Sequence, residues 1–145
     1  RFAPSMDHRD PSRISCLIGD DDDAVRGAVV ELLDAWGFRV VTATSGASAL
    51  RILLCEPVDF TILDVEMPGM TGLEVIERYL AGPWIAGPAR PPRRASARRI
   101  PTIFMSGNPD MRPRAEGLGS KFLGKPIEVL RMRSAVDEVL SQLTP

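Results

Sequence analysis

Ile62 Leu63 Asp64 Val65 Glu66 Met67 Pro68 Gly69 Met70 Thr71 Gly72 takes an apolar run to a single carboxylate and then breaks off at Pro68, Gly69 and Gly72. With Val58 Asp59 Phe60 Thr61 in front of it, the run reads as a buried strand that ends on an acid. A carboxylate in that position costs roughly several kcal/mol of desolvation unless a partner compensates it. Asp64 is therefore read as a chemical group, in preference to the plainer role of capping the next helix.

The same alternation extends to both sides. Upstream, Cys16 Leu17 Ile18 Gly19 is a short strand that ends in Asp20 Asp21 Asp22 Asp23, and Ala24, Val25, Val29, Leu32, Leu33 and Trp36 follow at helical spacing. Gly37 stands where a left-handed helix stop belongs, and Phe38 to Ala43 is β-branched enough for a second strand. Ser45 caps a helix through Ala49, Leu50, Leu53 and Leu54 that Pro57 closes. Asp22 and Asp23 suit the positive N-terminus of the first helix better than a metal.

Downstream, Leu73, Val75, Ile76, Tyr79 and Leu80 make a third helix ending before Gly82 Pro83. Ile100 to Met105 is a fourth strand leading to Ser106 Gly107. Between 108 and 120, Pro109, Pro113, Gly117 and Gly119 leave room only for a short or irregular helix. Phe122 Leu123 is a brief fifth strand before Lys125 Pro126. The last helix places Val129, Leu130, Met132, Val136, Val139, Leu140 and Leu143 on one side.

Strands alternating with helices predict an α/β fold: a parallel sheet with right-handed crossovers and helices on both faces. Ligands of such sheets sit at the carboxyl ends of the strands, a rim that here gathers Asp20, Asp21, Asp64, Ser106 and Lys125.

Composition is compatible with one such domain. The chain has 145 residues, 44% hydrophobic and 26% charged, with a formal net charge of -1 that gives no reason to expect nucleic acid or a membrane as partner. No run is long enough to span a bilayer and the N-terminus has no signal-peptide core, so a cytoplasmic location is expected. Residues 1–13 read as a disordered arm or tag remnant, with Met6 a candidate natural start, and 14–143 as the folded domain. A Pro- and Arg-rich stretch at 82–99, including Trp84, reads as a mobile, solvated insertion at the rim opposite the acids. Cys16 and Cys55 are expected to be buried free thiols. His8, the sole histidine, lies in the arm, far from the rim in sequence.

Three carboxylates at one rim repel each other unless a cation intervenes. Mg²⁺ suits them, since it takes oxygen donors octahedrally and keeps several waters. Lys125 adds positive charge and Ser106 a hydroxyl. These are the parts of a phosphoryl-transfer site, where positioning and charge neutralisation supply most of the rate.

Asp20 Asp21 with Arg26, Leu63 Asp64 with Met67 Pro68 Gly69 Met70 Thr71 Gly72, Met105 Ser106 Gly107 and Lys125 Pro126 together resemble the receiver domain of bacterial two-component response regulators. The resemblance runs from about Ser15 to Leu143 and implies a flavodoxin-like, doubly wound sheet of five strands in the order 2-1-3-4-5. It implies that Asp64 is the phosphoacceptor, attacking a phosphohistidine of a sensor histidine kinase or histidine phosphotransfer protein. Mg²⁺, or Mn²⁺ in its place, would be held by Asp21, Asp64 and the Glu66 backbone carbonyl, with Asp20 acting through water. Lys125 would pair with the phosphoryl group, Ser106 would hydrogen-bond to it, and Phe122 would turn inward as the hydroxyl moves. Glu66 and Asn108 would tune the lifetime of the phosphoryl group, and the Lys125–Pro126 peptide would be cis. The downstream target stays open. The shortened 108–120 segment puts the family's usual output face, fourth helix to fifth helix, in doubt. Two rivals are an aspartyl-nucleophile, Mg²⁺-dependent phosphohydrolase and a receiver-like interaction module that does not use phosphorylation.

Overall fold

The computed structural model describes residues 13–82 and 99–143. Nearly all of the expected N-terminal arm and of the 82–99 insertion lies outside the described residues.

Among the described residues strands and helices alternate: β1 (Ser15–Gly19), α1 (Asp23–Ala35), β2 (Arg39–Ala43), α2 (Gly46–Cys55), β3 (Phe60–Asp64), α3 (Gly72–Ala81), β4 (Thr102–Ser106), a 3-10 turn (Pro109–Met111), α4 (Arg112–Gly117), β5 (Lys121–Gly124) and α5 (Val129–Leu143). All strand pairs are parallel, in the order β2-β1-β3-β4-β5. This is the five-stranded doubly wound sheet that the sequence predicts.

Strand alternation sends side chains to two separate cores. Leu17, Leu63 and Phe104 face α2 and α3 with Ala49, Leu53, Leu73 and Ile76. Cys16, Ile18, Ile62, Ile103 and Met105 face α1 and α5 with Val29, Leu33, Met132, Val136 and Val139. β1, β3 and β4 are buried along their whole length, as strands covered on both faces must be. Inside the sheet, the Thr61 hydroxyl donates to Thr102 Oγ1 across β3 and β4 at 3.0 Å, and the Thr102 hydroxyl donates in turn to the Ile100 carbonyl at 3.0 Å.

The helix ends follow local chemistry. Asp22 caps α1, accepting from the amides of Ala24 and Val25, and Gly37 ends the turn at φ 96°. Capping boxes start α2 (Ser45 with Ser48) and α3 (Thr71 with Glu74). The cap of α3 is thus Thr71, and Asp64 is free of that duty. α4 has only six residues, Pro in its first turn and no side-chain cap.

Two expectations fail. Cys55 is exposed, because it ends α2 two residues past Leu53 and so points away from the buried stripe. Val129 and Leu130 do not join the apolar side of α5, being 51% and 82% exposed. Leu130 lies about 200° round the helix from Met132. Val129 is in line with Met132 but on the first turn, where it only borders a groove formed with Val25, Val29 and Leu32.

Candidate functional site

The rim is built by four strand ends, those of β1, β3, β4 and β5. β1 delivers Asp20, whose amide donates to the Ala43 carbonyl at 3.1 Å, and the Arg26 guanidinium holds the Asp20 carbonyl at 2.7 Å. The corner then turns: Asp20 is fully buried and Asp21 is exposed beside it. β3 delivers Asp64, 2% exposed, and β4 delivers Ser106, 1% exposed. The Lys125 amide donates to the Ser106 carbonyl at 2.8 Å, and the Lys125–Pro126 peptide is cis.

The loop after Asp64 is closed at its base. Gly72 N–H donates to the Val65 carbonyl at 3.0 Å, and Gly69 takes the left-handed φ of 83°. A Cβ at Gly72 would lie 2.3 Å from the Asp64 carbonyl oxygen, so only glycine lets α3 start this close to the acid. Gly46 is as tight, with a Cβ there 2.1 Å from the Met70 carbonyl oxygen.

Charge is shared unevenly at the rim. Lys125 Nζ is 3.1 Å from Oδ2 of Asp20 and 3.1 Å from Oδ1 of Asp64. The second oxygen of Asp20 accepts from the Asp22 amide at 2.9 Å, so both of its oxygens are engaged. Asp64 Oδ1 is paired by charge but lacks a well-directed hydrogen bond, alone in this among the buried side-chain oxygens of the described residues. Burial raises the Asp64 carboxyl from 3.8 to about 6; Lys125 opposes the rise, and the charges of Asp20 and Glu66 add to it. For Lys125, burial alone would lower the ammonium, yet its contacts with Asp64 and Asp20 carry it above its ordinary value.

Asp20, Asp21 and Asp64 offer ligand oxygens that all lie within 4.8 Å of one another. An all-oxygen donor set, one of its oxygens buried and short of a hydrogen bond, fits a hard divalent cation such as Mg²⁺.

The remaining expected residues divide. Ser106 donates its hydroxyl to Glu66 Oε2 at 2.6 Å, a pair that sequence reasoning missed. Asn108 donates its amide to Ser106 Oγ at 2.9 Å, but its side chain caps the 3-10 turn through the Asp110 amide at 2.9 Å. Phe122 is buried at 7% exposed in the α2–α3 core, with the Arg112 guanidinium 4.9 Å above its ring. Asp23 pairs with Arg26, and neither Asp22 nor Asp23 belongs to the carboxylate cluster.

A family model described as the response regulator receiver domain matches residues 16–83. Among curated proteins, the transcriptional regulatory protein AfsQ1 of Streptomyces coelicolor is 44% identical over 64 residues, covering 44% of this chain and 28% of its own. A probable cyclic di-GMP phosphodiesterase of Vibrio cholerae is 31% identical over 136 residues, covering 90% of this chain and 27% of its own. The chain therefore spans less than a third of either relative. Among solved structures, a CheY-like response regulator receiver domain from Methanospirillum hungatei superimposes with a TM-score of 0.72 at 20% identity, covering 91% of this chain and 97% of that one. A CheX–CheY complex with beryllofluoride and Mg²⁺ from Borrelia burgdorferi gives 0.69 at 19% identity, covering 88% and 89%.

Proposed function

The chain carries a receiver domain of the response-regulator family, and from that premise we propose that Asp64 accepts a phosphoryl group from a phosphohistidine on a partner kinase or phosphotransfer protein. The observation that carries this reading is the sharing of the Lys125 ammonium between Asp20 and Asp64, each 3.1 Å away, with Asp64 Oδ1 held by that charge and by no well-directed hydrogen bond.

An Asp64 oxygen forms the new bond to phosphorus as the P–N bond to imidazole breaks and its electron pair returns to the ring. The attacking form is the carboxylate, which prevails above about pH 6. Lys125 is placed to meet the incoming charge, and Ser106 to donate its hydroxyl to a phosphoryl oxygen. Asp21 and Asp64, with the Glu66 backbone carbonyl, are the residues to hold Mg²⁺, or Mn²⁺ in its place. Asp20 is the residue to act through a water, since Lys125 and the Asp22 amide engage its two oxygens. Bound there, the cation would neutralise charge on the phosphoryl oxygens. On this reading the receiver domain runs over 14–143, interrupted by the Pro- and Arg-rich insertion at 82–99. Phe122 is the candidate switch aromatic, and Glu66 and Asn108 flank the route by which water would reach the aspartyl phosphate.

The hydrolase rival needs a second carboxylate two residues past the nucleophile as a proton donor. Glu66 is in that place, but as a glutamate where such hydrolases carry the second aspartate of an Asp-x-Asp pair. Among the described residues no helix is long and apolar enough to cross a membrane.

Incubation with acetyl phosphate and Mg²⁺, read by intact mass, tests the proposal. The wild type is expected to gain one phosphoryl group and Asp64→Asn none. A wild type that gains nothing, or a variant that gains as much, overturns it.

A further inference from the structure

The hydroxyl at this rim already has an acceptor. Ser106 Oγ donates to Glu66 Oε2 at 2.6 Å while accepting from the Asn108 amide at 2.9 Å. The Asn108 carbonyl, 3.3 Å away, is the only other acceptor near it among the described residues, and it is both farther and uncharged. A serine hydroxyl has one proton to give. A short O–H···O⁻ bond is roughly twice as strong as a neutral one, so the carboxylate holds that proton.

We propose that Glu66 is a latch on Ser106: its carboxylate holds the hydroxyl until a phosphoryl group on Asp64 takes over that hydrogen bond. The proposal rests on the phosphoacceptor reading of Asp64 and assigns the Glu66 side chain, at the rim of the site, a positioning role through Ser106. No covalent bond changes; one hydrogen bond exchanges its acceptor.

The geometry explains why the exchange is easy to reverse. Ser106 is buried at the end of β4, whereas Glu66 sits exposed on the loop after β3 and can swing into water. Once released, the carboxylate is solvated and not stranded, which keeps the cost of opening to that of about one hydrogen bond.

Glu66 also opposes an arriving anion simply by its charge, and this second effect does not need the hydroxyl. A double-mutant cycle separates the two. Affinity for beryllofluoride in the presence of Mg²⁺ would be measured by fluorine NMR for wild type, Glu66→Ala, Ser106→Ala and the double variant. We expect Glu66→Ala to tighten binding, by a factor roughly fivefold larger with Ser106 present than in the Ser106→Ala background. Glu66→Gln, which keeps an acceptor without the charge, should fall between. Equal gains in the two backgrounds leave Glu66 acting by charge alone and overturn the latch, while Asp64-dependent binding would keep the phosphoacceptor reading intact. If wild type does not bind beryllofluoride at all, both fall together.

Discussion

From β1 to α3 every helix has a side-chain cap and nearly every apolar stripe is covered, whereas from β4 to α5 the helices are less well finished. α4 has six residues and no cap bond, and α5 begins with Val129 and Leu130 in the open. The site straddles the difference: Asp20, Asp21, Asp64 and Glu66 come from the first part, Ser106 and Lys125 from the second. Local opening is cheapest where few apolar groups are covered and helix ends are unsatisfied. The acids thus sit on the firm part, and the groups that would respond to a phosphoryl charge adjoin the part with more freedom.

That contrast can be broken most forcefully at Gly72. Gly72→Ala puts a methyl 2.3 Å from the Asp64 carbonyl oxygen, and we expect a loss of about 3 kcal/mol or more by denaturant unfolding. A loss below about 1 kcal/mol would mean that the loop gives way and the first part is not the firmer.

Asp64→Asn should have the opposite sign. The Asp64 carboxyl is raised from 3.8 to about 6 in the fold, so between those values the native state binds more protons than the unfolded chain, and wild-type stability falls as pH rises across the window. Without divalent ions the variant should be more stable than wild type above pH 6, by on the order of 3 kcal/mol at most. The gain should shrink as pH falls through the window. Thermal melts across the range check it; a constant difference contradicts the origin in Asp64.

Thr71→Ala, which removes half of the α3 capping box, should cost about 1 kcal/mol. Leu130→Ser on the second part should stay within about 0.5 kcal/mol, since the side chain is 82% exposed. If the order of these two is reversed in urea titrations, the contrast between the parts fails.

Much of this was legible in the chain itself. Alternating apolar runs and Gly, Pro and Ser punctuation gave the strands and their rim, because strands buried on both faces leave little choice of composition. The short α4 followed from Pro113, Gly117 and Gly119. What escaped depends on direction and not on composition. Leu130 and Cys55 are apolar and adjacent to real stripes, yet one or two steps of 100° carry them to the wrong side. The Ser106–Glu66 and Lys125–Asp20 pairs join residues 40 and 105 positions apart, and no local pattern marks them. The Asn108 cap could have been read from Asn108 Pro109 Asp110, a sequence that favours an Asx turn.

The close approach at Gly72 has a further meaning for anyone who would rebuild this molecule. The loop from Val65 to Thr71 is tied off at its base, by the Gly72 amide on Val65 and by a carbonyl that leaves no room for a side chain. Only its exposed side chains, Glu66 and Pro68, can be exchanged freely, since Met67 is buried, Gly69 takes a left-handed φ and Thr71 caps α3. Position 72 itself admits no such exchange. A library at the exposed positions 66 and 68 can therefore explore new chemistry around Asp64 while Gly69, the Thr71 cap and Gly72 keep the nucleophile where the strand put it.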